Sequence, residues 1–343
     1  MDEEHTTQHA QALIQGDREQ LRQQAYNSLH NRQWTLAQQL FAELLAHGSD
    51  DDDTFSGLMA ALDGAGQFEA LLAQAQQVLE QYPHAAYALA FKARALQKLN
   101  ALSEATIAND QALLLDTNLP LAWINRSGLQ LLQQKFPEAL RSAQHAVEVA
   151  PHDARAWANK GVALLNFDNL LEALNAFNRS LACDATNLFA LKLKSEILFR
   201  LGRLTDVVVN TEQMLHIDST NVEALSFAMQ ALRSLERYED LEETAKTLTS
   251  LDPNNISARE NYVRSLRGMG RFEEANAAFE HLLDLDPNNV RFWTLKADTL
   301  YRLQRYREAV AVADHAIYLN QDYLPARRIR EQSLKLMYQR KKK

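Results

Sequence analysis

Along most of the chain, apolar residues return every three or four positions, pause over a short polar stretch, and return again. That spacing belongs to amphipathic helices and not to alternating strands. The double stripe is itself periodic. Asp252-Pro253-Asn254-Asn255 recurs thirty-four residues later as Asp286-Pro287-Asn288-Asn289. The register holds without insertion or deletion from Arg18 to Tyr323 and defines nine units: 18–51, 52–85, 86–119, 120–153, 154–187, 188–221, 222–255, 256–289 and 290–323. Residues 1–17 and 324–343 flank them, each about one helix long.

Stacking the units shows what each place requires. The eleventh place is Leu62, Leu96, Leu164, Leu198, Leu232, Leu266 and Leu300, with Ser28 and Gln130 as departures. The twentieth is Ala37, Ala105, Ala139, Ala173, Ala275 and Ala309, and the eighth is mostly small, as in Ala25, Ser127, Gly161 and Ser195. The seventeenth is bulky throughout, from Trp34 and Phe68 to Tyr306. Places 4, 7, 8, 11 and 14 form one helical stripe, and places 17, 20, 24, 27 and 30 or 31 form another. Each unit therefore predicts two helices, packed closely where the small residues fall.

The helix breakers agree with this register. Pro83, Pro151, Pro253 and Pro287 sit in the links between units, and Pro120, Pro137 and Pro325 at the first turn of a helix, where proline sacrifices no hydrogen bond. Gly66, Gly202 and Gly270 share the turn between the two helices, which calls for a left-handed residue. Acidic residues recur at the start of the second helix, as in Glu104, Glu172 and Glu274, where they face the positive end of the helix dipole.

This arrangement resembles the tetratricopeptide repeat. The resemblance spans residues 18–323 and rests on the period, Trp123, Trp157 and Trp293 at the fourth place, the small eighth, the alanine at the twentieth and the linking proline. Units 154–187, 256–289 and 290–323 are nearest the family pattern, and the first two depart most, with Ser28 and the run Asp50 to Asp53. The family implies a right-handed superhelical solenoid whose concave face is lined by the first helices. The expected fold is thus all-α: nine such pairs, a short acidic N-terminal extension over 1–17 and a basic capping helix over 324–343.

Composition narrows the function. Hydrophobic residues make up 46% of the chain and charged residues 23%, a balance typical of a folded protein. The single cysteine, Cys183, excludes a disulfide framework or a cysteine-built zinc site, and its place predicts a buried apolar filler. The histidines do not cluster, so no metal is expected; His5 and His9 share a helix face but lack a third ligand. Gly64-Ala65-Gly66 and Gly268-Met269-Gly270 are inter-helix turns without the Lys-Ser or Lys-Thr of a phosphate loop, so no cofactor is expected. No apolar run is long enough for a membrane span, and no secretory h-region follows Met1, which predicts a cytoplasmic protein. A stack in which each pair contacts only its neighbours offers a groove and no enclosed catalytic pocket, so the expected role is a non-enzymatic scaffold or adaptor.

At about 100° per residue, places 2, 5, 6, 9, 12 and 13 lie opposite the packed stripe of the first helix. They supply the candidate peptide-binding groove: Tyr87, Phe91, Arg94, Asn125, Arg155, Asn159, Phe189, Lys192, Phe227, Asn261 and Arg264. Asn125, Asn159 and Asn261 share the sixth place, where some superhelices of this family use asparagine to hold an extended peptide. An amide both donates to and accepts from a peptide group, although an asparagine is also simply tolerated on an exposed helix. Hydrogen bonds of ~1 kcal/mol each do not offset an association cost of ~4–15 kcal/mol, so the aromatics must anchor a bulky apolar segment. Those same aromatics would alternatively pack on a neighbouring helix. The family's chaperone-tail clamp needs a set of Lys, Asn and Arg that no three consecutive units supply.

The net charge of −8 is uneven. Residues 324–343 hold eight basic residues against Glu331. That basic end suits a capping helix, or a head-to-tail contact with the acidic end of a second copy. It is a tip and not a track, so nucleic acid is not expected. The partner expected is a protein or peptide; the alternative is a self-assembling scaffold, assembly chaperone or regulatory subunit working through its ends and convex face.

Overall fold

Six of the first helices begin where a polar side chain caps them, while those of units 86–119 and 120–153 follow Ala85 and Leu119 and have no such cap. Asp51, Asp153, Asn187, Asn221, Asn255 and Asn289 each accept a hydrogen bond from a backbone N–H of the turn that follows. The second helices lack such caps and, except for the helix Trp34–Ala46, carry an acidic residue in their first turn, as at Glu104, Glu138 and Glu172. In the later units an arginine immediately before the helix pairs with that acid, as Arg203 does with Asp206 and Arg237 with Asp240.

The structure is a computed structural model that describes residues 18–49 and 51–340. The expected acidic extension over 1–17, Asp50 and the final lysines lie outside the described residues. The chain divides into two compact units, Met1–Ala185 and Thr186–Lys343. All the described regular structure is helical.

In the first unit, α1 covers 18–30 and is followed by α2 (Trp34–Ala46), α3 (Asp52–Gly64), α4 (Phe68–Gln81), α5 (Ala86–Lys98) and α6 (Leu102–Leu115). After these come α7 (Pro120–Leu132), α8 (Phe136–Val149), α9 (Ala154–Asn166) and α10 (Leu170–Cys183). The second unit holds α11 (Leu188–Arg200), α12 (Leu204–Ile217), α13 (Val222–Ser234), α14 (Tyr238–Leu251), α15 (Ile256–Gly268), α16 (Phe272–Leu285), α17 (Val290–Arg302), α18 (Tyr306–Leu319) and α19 (Leu324–Arg340). Within each unit consecutive helices pack on one another, and first helices also touch the first helices of neighbouring pairs, as α5 with α7 and α11 with α13. The helix α19 lies against α17 and α18 and buries Ala326 and Ser333 completely.

The close-packed places are the ones the pattern marks. Ala37, Ala105, Ala139, Ala173, Ala275 and Ala309 are all fully buried, as are Ser127 and Ser195 at the eighth place. Gly161, also at the eighth place, lets the Phe177 ring lie so near that an added Cβ would fall 2.8 Å from it. Cys183 differs from expectation: it is exposed, because its place falls in the last turn of the second helix, at the surface, as does exposed Leu251.

The turns hold one feature that glycine alone does not announce. Gly66, Gly202 and Gly270 adopt φ of 72°, 70° and 75°. Arg32, Asn100, Gln134, Asp168, Glu236 and Gln304 occupy the same place with φ between 55° and 64°. A left-handed residue ends every first helix, and in six turns a side chain accepts that strain. Nothing lies within 4 Å of an added Cβ at Gly270, so Gly270→Ala isolates the backbone term. It should lower unfolding free energy by ~1–2 kcal/mol in urea melts, with no change in helix content by circular dichroism.

Candidate functional site

The first helices of each unit stand side by side, and their free faces carry the residues singled out above. Place 6 faces the preceding first helix, and this decides what each residue can do.

The amides show it most directly. Asn125 is buried and donates from Nδ2 to the Ala90 carbonyl at 2.8 Å, on the preceding first helix. Asn159 repeats the contact one unit on, donating to the Ile124 carbonyl at 3.0 Å and the Ser127 hydroxyl at 2.8 Å. The acceptors Ala90 and Ile124 occupy the same place in their units, so each amide staples its helix to the one before. Asn261 is buried as well and donates to Ser257 of its own helix at 2.9 Å. These amides thus grip a backbone, but it is the chain's own. Phe91, at the same place, is not exposed either; it is buried in the core shared by α2, α3 and α5. Phe227 is half-buried.

The remaining candidates of the first unit are joined by charge. Asp63, at the end of α3, accepts from Arg94 Nε at 2.9 Å and from Arg155 Nη1 at 3.1 Å. Arg155 also binds Asp153 through Nη2 at 2.8 Å. Asp63 and Arg94 are nearly covered, with side chains 10% and 18% exposed. Because α3 and α9 belong to the second and fifth pairs, Arg155 spans the inside of the curve. A second bridge, Arg32 to Asp184 at 2.7 Å, likewise joins the first pair to the residue that ends α10. Tyr87 is half-buried against the same core, and its burial, with the Asp52 carboxylate beside it, pushes its phenol pKa up. The groove face of this unit is therefore crossed by its own side chains.

The second unit is arranged otherwise. Ion pairs on this face include Lys192 with Glu223, Arg291 and Arg264 with Glu260, and Arg267 and Arg302 with Asp298, within one first helix or between neighbouring first helices. Phe189 remains 55% exposed on α11. Arg264 lines a cleft of about 310 Å³ between α15, α16 and α17, floored by Val263, Phe279 and Phe292. Arg233 is exposed between Phe189 and that cleft in chain order. Among the described residues no three His, Cys, Asp or Glu side chains gather as a metal site would require, and no helix is long and apolar enough to cross a membrane.

The family model described as tetratricopeptide repeat matches residues 129–187 and 263–323, two stretches that fall in register with the helix pairs. Those two stretches are tetratricopeptide repeats. Repeats of this family mediate protein–protein interactions. The "Heat shock protein sti1 homolog" of Schizosaccharomyces pombe (strain 972 / ATCC 24843) is 32% identical over 77 residues, which is 22% of this chain and only 13% of that protein. Pseudomonas aeruginosa pilF is similar in structure over 61% of this chain and 95% of its own, at 18% identity and a TM-score of 0.52. A chain of the APC/C hetero-tetramer Cut9–Hcn1 aligns with 88% of this chain and 52% of its own, at 13% identity and a TM-score of 0.46. At 18% identity, the likeness to pilF bears on fold alone.

Two measurements test the internal roles of these side chains. Asn125→Ala should lower unfolding free energy by ~1 kcal/mol, the net worth of one hydrogen bond, with Asn159→Ala similar; unchanged urea midpoints would remove the staple. Asp153 gives a pH signature. Burial raises its carboxyl pKa, but the Arg155 hydrogen bonds and charge more than offset this and hold it below the usual carboxylate value. A folded pKa below the unfolded one contributes stability that is complete above the unfolded value of about 3.9 and is lost as pH falls through the folded pKa. Asp153→Asn, which keeps a capping oxygen, should therefore cost stability at neutral pH and cost progressively less in acid.

Proposed function

We propose that the protein is a non-enzymatic scaffold or adaptor that holds a peptide segment of a partner protein along the first-helix face of its second unit. Support comes from the contrast between the two units. In the first, Asp63, Arg94 and Arg155 satisfy one another across the curve, and Asn125 and Phe91 are buried. In the second, Phe189 stands exposed with Lys192 near it on the same helix, Phe227 is half-exposed, and Arg264 edges an open cleft with an apolar floor.

The chemistry of that face selects the ligand class. Burying an aromatic or a large aliphatic side chain contributes ~1.5–3 kcal/mol, so two or three anchors are needed against the cost of association. Lys192, Arg233 and Arg264 are positioned to meet acidic groups between those anchors. The favoured partner segment is extended, apolar at intervals and acidic. The lone cysteine, which calls for no disulfide, fits a cytoplasmic setting.

Peptides selected on the intact chain from a random displayed library test this directly. Their consensus should pair bulky apolar with acidic residues, and the combined Phe189→Ala and Phe227→Ala change should weaken them at least about tenfold, the worth of one lost anchor. Binding that survives both changes, with helix content intact, would place the partner elsewhere.

A further inference from the structure

The fourth place of the first helix is apolar in eight units: Leu21, Phe55, Leu89, Trp123, Trp157, Leu191, Leu225 and Trp293. In the unit 256–289 it is Arg259. Where that place is tryptophan, the indole has a fixed setting. Its N–H donates to the carbonyl six residues back: Trp123 to Thr117 at 2.7 Å, Trp157 to Pro151 at 2.9 Å, and Trp293 to Pro287 at 2.7 Å. Its ring meets a side chain from the twenty-sixth place on the second helix. Trp123 lies against His145 and Trp293 against His315, with ring centroids 4.2 and 4.3 Å apart, and Trp157 lies under Arg179. In the tryptophan-free units 18–51, 52–85, 86–119, 188–221 and 222–255 that place is Glu43, Gln77, Gln111, Gln213 and Thr247.

The eighth unit breaks the pairing. It keeps the histidine, His281, and lacks the indole. Arg259 reproduces the hydrogen bond, donating from Nε to the Pro253 carbonyl at 2.7 Å, six residues back as before. It does not reproduce the ring. Where an indole would lie there is a cleft of about 610 Å³ between α14, α15 and α16, lined by Arg259, His281, Tyr262, Lys246 and Glu274. His281 is exposed to it. Tyr262 supplies a second aromatic wall, with the Lys246 ammonium 5.6 Å above its ring centre. Glu274 is committed to Arg271 and Lys246 to Glu242, which leaves the Arg259 guanidinium to set the charge preference and His281 to supply a ring face.

We propose that this cleft is a docking site for an aromatic side chain of a partner peptide, seated against His281 where the repeat's own tryptophan is missing, with a neighbouring carboxylate of the same peptide held by Arg259. Two internal Trp–His pairs and one Trp–Arg pair show what ring the surrounding backbone accepts. The volume suits a bulky side chain with its flanking backbone. The guanidinium, with its terminal nitrogens beyond the Pro253 bond, presents the fork that a carboxylate matches. The cleft shares no residue with Phe189, Phe227 or the cleft edged by Arg264, so it stands or falls independently of that first-helix face.

N-acetyl-tryptophan carries both groups and serves as the probe, with N-acetyl-tryptophanamide and N-acetyl-leucine as controls. The readout is the His281 imidazole signal in histidine-labelled protein, assigned through His281→Gln. N-acetyl-tryptophan should shift it saturably, the amide about tenfold more weakly through loss of the charged hydrogen bonds, and N-acetyl-leucine not at all over the same range. Arg259→Trp should fill the cleft from within, raise the melting temperature and abolish the response. Arg259→Leu, the residue found at Leu191 and Leu225, keeps the fold available if the tryptophan variant fails; it should bind acid and amide alike. No shift with N-acetyl-tryptophan, an equal shift with N-acetyl-leucine, or an undiminished response in a folded Arg259→Trp protein would each overturn the assignment.

Discussion

A hairpin of two thirteen- or fourteen-residue helices cannot cover its own apolar stripe, and everything in this protein follows from that shortfall. Each pair must press one flank against the pair before it and the other against the pair after. The contact is close because alanine, serine or glycine stands wherever two helix backbones would otherwise be held apart: fully buried Ala37 and Ala309, Ser127 and Ser265, and Gly161 under the Phe177 ring. Adding one methylene at such a place forces a shift through a packed neighbour, whereas a change on the free faces does not. The core is therefore a series of thin, similar layers whose quality is set locally.

Much of this is legible in the order of residues because the rules are local. Helix ends follow from Asn255 and Asn289 as caps and from Gly66, Gly202 and Gly270 as left-handed stops. Registers repeat, so one unit instructs the reading of the next. What the pattern conceals is which free face is free. A helical wheel separates packed from unpacked, yet the sixth place is unpacked with respect to its own hairpin and packed with respect to the neighbour. Phe91, Asn125 and Asn261 are buried for that reason, while Phe189, four places nearer the helix start, is not.

The first unit adds a second kind of concealment. Asp63 is the only acid at the twelfth place, and Arg94 lies one unit on at the ninth, a pairing that neighbouring helices permit on inspection. Arg155 reaches the same carboxylate from ninety-two residues away, and no periodicity foretells it. That contact depends on how much the stack turns per repeat, a small angle accumulated over three steps. The exposed Cys183 belongs to the same class of surprise, since its place is apolar in other units yet sits where the second helix runs out into solvent.

A stack of hairpins is also a coil spring. Pulled along its axis, it extends by opening each turn slightly, at little cost per contact. Arg155 to Asp63 and Arg32 to Asp184 act as ties between separated windings of the first unit, so tension there loads a few ionic contacts before it loads the helices. These ties are partly exposed and individually weak, so each adds a small increment of stiffness between pairs that are not neighbours. In the second unit, Lys192 with Glu223, Arg291 with Glu260 and Arg267 with Asp298 instead share such a load between successive hairpins.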